Sequence, residues 1–210
     1  MFGIYVLLEQ YLQLVLALSP WEARLATVPF TRASVAGALL SPALANRFHM
    51  RSVLVAGLII AIVGTGMLAV SVGRFGVPGV VASNVVFKLR LASVFTPAYE
   101  LIVTCAPPER SGGAVAIAET LSELGGAMGI AMLCSLTTAI YRHLLFTTLP
   151  QGLLLMSGEK AVATIGGASP IAAMLPPRAG ESLRLSARAA FSTAIQCTSV
   201  AAAAAIAAAC

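Results

Sequence analysis

Six stretches of the chain are almost continuously apolar: residues 2–18, 25–45, 53–72, 77–106, 114–140 and 189–210. Each approaches or exceeds the roughly 20 residues that a helix needs to cross a hydrocarbon core. Helix-stopping residues separate them: Ser19-Pro20, Asn46-Arg47, Gly73-Arg74 with Gly76 and Pro78, and Pro107-Pro108-Glu109-Arg110. Connections this short set neighbouring helices antiparallel and side by side. The pattern predicts an all-α, polytopic membrane bundle of six transmembrane helices, five within residues 1–140 and the sixth over 189–210. Between them, in residues 141–188, Pro150, Pro170, Pro176 and Pro177 and several glycines break every apolar run before it reaches spanning length. That segment is expected to be an extramembrane loop with short interfacial helices.

The runs differ in purity. Residues 53–72 carry no charge, whereas Arg32 lies at mid-depth in the second run and Glu9, Gln10 and Gln13 lie in the first. Lys88 and Arg90 interrupt the fourth, with Glu100 further on. A central Lys or Arg costs roughly 2.5–3.5 kcal/mol on insertion scales. Two of them two residues apart point in nearly opposite directions on a helix, so one is expected to face lipid. The last run is rich in alanine, which is nearly neutral for insertion, and so depends on packing against its neighbours.

Composition agrees with lipid as the solvent. Hydrophobic residues make up 59% of the 210 and charged residues 10%, with a mean hydropathy of +0.93. Soluble domains run at about 45–50% apolar and about 25% charged. The net charge of +5 does not indicate nucleic-acid binding, because the basic residues are dispersed among apolar runs rather than gathered on one face. It does not set orientation either. Arg47, Arg51 and Arg110 lie on one side, balanced by Arg24, Arg74 and Arg142 on the other.

Cys105, Cys134, Cys197 and Cys210 show no paired spacing and no nearby histidine, so they read as small packing residues without a metal or a disulfide framework. No dinucleotide fingerprint, phosphate loop or zinc motif is present, and no cofactor is expected. Nor is any nucleophile–base constellation visible, and the chain is not expected to be an enzyme. Met1 opens almost directly into an apolar run, without the basic stretch and cleavage site of a signal peptide.

The most informative segment is ERSGGAVAIAETLSELGGAMGIAMLCSLTTAIY, residues 109–141. Glu119 and Glu123 are four apart and share a helical face, which Gly126 continues. Gly125 and Gly129 have the GxxxG spacing that lets a neighbouring backbone approach. A carboxylate within a membrane must be paired, hydrated or protonated. Desolvation favours the neutral form of such a group, which suits it to carry protons or to balance a cationic substrate. The alternative is that both glutamates sit at the wet start of the helix and are helped by its dipole. Glu9 and Gln13 form a second pair at this spacing, serving either function or simple interhelical adhesion. Arg32 is a candidate partner for Glu9 or for a glutamate of the fifth helix.

QYLQLVLALSPWEARLATVPF, residues 10–30, resembles a junction between two helices in the C-terminal half of the fourteen-helix drug:proton antiporters of the major facilitator superfamily. VFTPAYELIVTCAPPERSGGAVAIAETLSELGGAMGIAMLCSLTTAIYR, residues 94–142, resembles their later loop and penultimate helix. The two blocks keep the family's order and approximate spacing. The resemblance implies half of a two-bundle transporter, with the substrate cavity between the bundles. It implies export of lipophilic cations, such as quaternary ammonium antiseptics and dyes, in exchange for protons across the cytoplasmic membrane. Met1 would fall near the start of the family's ninth helix, leaving eight helices, the six of the N-terminal half among them, to be supplied separately. The turns near 47–51 and 107–110 would be cytoplasmic and the long loop external. Glu119 and Glu123 match the acidic residues of the penultimate helix. Lys88 and Arg90 replace what resembles a glycine-rich stretch, and Arg32 stands where a small or apolar residue is expected. A single bundle offers half a cavity, so unaided transport is not expected. A membrane scaffold or assembly subunit and a decayed gene fragment are the competing readings.

Overall fold

A computed structural model describes residues 2–47, 50–148 and 163–208, with side chains throughout except at 2, 41–46, 50–51, 89–98 and 100. The described residues form an all-helical bundle. Its main helices are α1 (Phe2–Gln10), α2 (Pro20–Arg47), α3 (Met50–Ser71), α4 (Gly76–Cys105), α5 (Ser111–Thr148), α6 (Ile165–Met174) and α7 (Pro177–Ala208). A π-helical turn, Tyr11–Val15, continues α1, and a 3₁₀ turn, Pro108–Arg110, precedes α5.

The turn from α1 to α2 is fully specified by local chemistry. Leu16 N–H donates to the Tyr11 carbonyl at 3.1 Å, five residues back, and Leu18 N–H donates to the Leu12 carbonyl at 3.1 Å. Ala17 takes a left-handed conformation at φ 56°, which costs a residue with a β-carbon about 1–2 kcal/mol. Ser19 then caps α2. Its N–H and Oγ both donate to Glu22 Oε2 at 2.8 Å, and Glu22 N–H returns a bond to Ser19 Oγ at 3.3 Å. Pro20 occupies the first helical position, where no N–H is needed.

α2 lies along α4, α4 along α3, and α3 along α7; α5 packs on α7 and α1, and α6 folds back onto α7. Where helices pack closely, glycine makes the room. A β-carbon on Gly3 would stand 2.8 Å from the Gly129 carbonyl oxygen, and one on Gly64 would stand 2.9 Å from Phe87 N. Hydroxyl and amide bonds fasten the interior. Ser71 Oγ and Ser83 Oγ lie 3.0 Å apart between α3 and α4, and Thr137 and Thr198 hydroxyls 2.9 Å apart between α5 and α7. Gln196 Nε2 donates to the Val72 carbonyl at 2.7 Å, and Gly73 N–H donates to Tyr11 Oη at 3.0 Å. These satisfy helix-end groups that lipid cannot. The outer surface is apolar: Leu39, Trp21, Met132 and Ile117 are each more than 60% exposed.

Among the described residues, three stretches are long and apolar enough to cross a membrane: Ser52–Ser71, Pro108–Thr148 and Pro177–Ala208. α2 and α4 have comparable lengths, 28 and 30 residues, but carry charges. α4 is continuous through Lys88 and Arg90. Two boundaries differ from the sequence expectation. α5 runs on to Thr148, and α7 begins at Pro177 rather than at residue 189. The ends of the predicted loop are therefore helical, as is Ile165–Met174, which Thr164 caps by accepting from Gly167 N–H at 3.2 Å. The first half of α7 is amphipathic. Leu183, Ala187, Ala190 and Phe191 are buried at helical spacing, while Glu181 and Arg184 pair on the outside at 3.7 Å. A search for unbroken apolar runs passes over such a segment. Residues 149–162 of that loop and Cys210 lie outside the described residues.

Candidate functional site

Three charged side chains, Glu9, Arg24 and Lys88, come together where α1, α2 and α4 converge. Tyr5, Glu9 and Gln13 project one turn apart along α1 and its π extension. Gln13 Nε2 donates to Glu9 Oε2 at 3.4 Å. The Arg24 guanidinium, near the start of α2, stands 3.7 Å from Glu9 Oε1 and donates to Tyr5 Oη at 3.5 Å. The Glu9 side chain is 15% exposed and that of Arg24 67%. Lys88 reaches in from α4 and sets its ammonium 5.2 Å from the centre of the Tyr5 ring, a cation–π arrangement. Lys88 is thus turned toward α1 rather than toward lipid, and its long stem crosses apolar packing to do so. The side chain of Arg90, the other cation of that run, is outside the described set.

Glu9 is unusual within this cluster. Its Oε1 is buried and accepts no hydrogen bond, although Arg24 lies in ion-pair range. A buried carboxylate oxygen without a donor is costly. Such a site is eased either by its cation or by a proton.

Arg24, not Arg32, is the cation beside Glu9. Arg32 is exposed on α2, two turns further along. The reason lies in the turn: α2 begins at Pro20, so Arg24 is one turn into the helix and level with Glu9, whereas Arg32 has been carried past it.

Glu119 and Glu123 do share a face of α5, and both are exposed. Glu119 Oε2 accepts from Tyr99 Oη of α4 at 3.3 Å. The same face becomes covered only from Gly126 onward, where α5 meets α1. No hydrogen bond or ion pair among the described residues joins these glutamates to Glu9, so the acidic groups form two separate loci. The expected glycine pair is half realised. Gly129 receives Gly3 of α1, but a β-carbon on Gly125 would meet nothing within 4 Å. Gly126, one position on, is the buried member of the pair.

Sequence reasoning passed over Tyr5, Arg24 and Lys88 as site residues. Tyr5 was accessible to it, because Tyr5, Glu9 and Gln13 continue a single spacing of four. Arg24 and Lys88 come from other helices and need the turn geometry to be placed.

An all-helical bundle with an apolar exterior and ionisable groups gathered between its helices is a membrane protein. No protein-family model matches the chain. It is 37% identical over 201 residues to multidrug efflux pump LfrA of Mycolicibacterium smegmatis, a match that takes in 96% of this chain and 40% of that protein. It is 29% identical over 192 residues to methyl viologen resistance protein SmvA of Salmonella typhimurium, covering 90% of this chain and 38% of the relative. Puromycin resistance protein pur8 of Streptomyces alboniger matches at 25% over 142 residues, 66% of this chain and 28% of its own length. The chain spans 40% or less of the length of these relatives, and it is similar to a multidrug efflux pump and to two drug-resistance proteins.

Proposed function

We infer that the chain forms the C-terminal six-helix bundle of a proton-coupled multidrug efflux transporter in the cytoplasmic membrane. It would act with an N-terminal six-helix half and export lipophilic cations. The observation that carries this reading is the match across 96% of the chain to a multidrug efflux pump. The α5 carboxylates add to it. Glu119 and Glu123 are exposed on α5, where a second bundle would enclose a cavity between the two.

The test is expression in a pump-deficient cell, with and without the N-terminal half of a homologous transporter supplied in trans, followed by accumulation of a fluorescent cation. Reduced accumulation that needs both halves and collapses with the proton gradient supports the reading. Unchanged accumulation with both halves present in the membrane rejects it.

A further inference from the structure

Next to the Glu9–Arg24 pair lies a pocket of about 270 Å³, lined by Tyr5, Thr27, Phe30, Thr31, Ser34 and Lys88. Its charges do not balance. Arg24 and Lys88 supply two cations, Glu9 one carboxylate, and Arg24 stands against that carboxylate at 3.7 Å. Among the described residues no carboxylate lies within ion-pair reach of Lys88, whose ammonium meets only the Tyr5 ring at 5.2 Å. Glu100, the next acidic residue along α4, is twelve positions on, about 18 Å along the helix axis. A half-buried ammonium has three donors to satisfy, and a ring face serves one side of it.

The remaining walls have the chemistry of a receptor for an anionic group attached to an apolar body. Thr27 spends its hydroxyl on the Arg24 carbonyl at 2.7 Å. The hydroxyls of Thr31 and Ser34 open onto the same space and have no hydrogen-bond partner among the described residues. Phe30, 2% exposed, adds an apolar edge to the lining. The volume is far more than the roughly 30 Å³ of a water molecule and just under the roughly 300–1,000 Å³ of small-molecule sites. It suits a compact ring rather than a bare inorganic ion.

We propose that this pocket binds a small aromatic carboxylate. The carboxylate lies on the Lys88 ammonium and the Thr31 and Ser34 hydroxyls, and the ring lies against Phe30 and Tyr5. The ligand has the opposite sign to the lipophilic cations of the proposed transport, and the inference does not rest on that reading.

Equilibrium dialysis of the purified full chain in a nonionic detergent tests it, with 2-naphthoate as the probe and 2-naphthamide as its neutral counterpart. The expected result is saturable naphthoate binding, with the amide weaker by about tenfold or more, as for the loss of a charge-assisted bond. Lys88→Gln lowers naphthoate affinity by about tenfold or more, and Lys88→Arg keeps most of it. Ser34→Ala, which removes one hydroxyl from a partly exposed position, lowers affinity severalfold at unchanged helix content by circular dichroism. Absence of saturable binding, equal affinity for acid and amide, or wild-type affinity in Lys88→Gln overturns the proposal.

Discussion

The Arg24 guanidinium stands 3.7 Å from the Glu9 carboxylate across the turn that joins α1 to α2. The pair is lopsided, with Glu9 nearly covered and Arg24 mostly exposed. Its strength therefore resembles that of a surface bridge, about 0–1 kcal/mol. Arg24→Gln is expected to change thermal stability in detergent by no more than that. In a transporter assembled from both halves it lowers the rate of efflux, because Glu9 loses its cation. Efflux rates, measured with the wild type alongside, check this.

Glu119→Gln removes a titratable group and keeps an acceptor for the Tyr99 hydroxyl, so the fold is expected to survive. Proton-driven efflux of a fluorescent cation by the two assembled halves is expected to fall by roughly 5–150-fold, the range of ordinary coupling free energies. Glu123→Gln is the parallel variant. Wild-type coupling in both, at normal expression, removes α5 from proton coupling.

Gly3 and Gly125 should respond oppositely to a methyl group. Gly3→Ala drives a carbon into the Gly129 carbonyl, where 2.8 Å is available, and is expected to cost about 1–3 kcal/mol through overpacking. Gly125→Ala adds a carbon to open space and gains up to about 1 kcal/mol of helix propensity. Thermal unfolding followed by circular dichroism in detergent distinguishes the two.

Thr137 and Thr198 bond across the α5–α7 contact with both side chains buried. Thr137→Val leaves the buried Thr198 hydroxyl without its acceptor and is expected to cost about 1–3 kcal/mol, whereas Thr198→Val costs less because Thr137 still donates to the Leu133 carbonyl at 2.8 Å. The double change removes both groups, and its cost is expected to be less than the sum of the single costs. A double-mutant cycle of unfolding free energies gives the coupling.

Glu22 makes the α2 cap sensitive to acid. The Ser19 backbone and side-chain bonds hold its carboxyl below the ordinary value of 4.5. A depressed value means that the contribution is present above 4.5 and is lost as pH falls through the folded value. Melting temperatures recorded from pH 6 downward are expected to fall more steeply for the wild type than for Glu22→Gln.

The all-helical bundle was legible because runs of apolar residues between Ser-Pro, Gly-Arg and Pro-Pro punctuation leave few other solutions in lipid. The family was legible in two sequence blocks. The start of α7 was not, since Arg178, Glu181, Arg184 and Arg188 break the apolar run without breaking the helix. Spacing on a single helix also gave reliable neighbours: Gln13 bonds Glu9 from four residues away. Neighbours from different helices were harder. Arg32 was one candidate partner for Glu9 or for a glutamate of the fifth helix, and helix phase after Pro20 puts Arg24 beside Glu9. Lys88 read as an intruder because nothing in its own helix accommodates it, and the ring that does belongs to α1.

The widened turn at Tyr11–Val15 sets the angular phase of everything before it. Each residue of an α-helix turns the chain by about 100°, so deleting one residue there would swing Tyr5 and Glu9 off the side that faces Lys88 and Arg24. The surplus residue thus acts as an indexing tooth. It lets Tyr11 hold Gly73 while Glu9, two residues earlier, still presents its acid to the second helix.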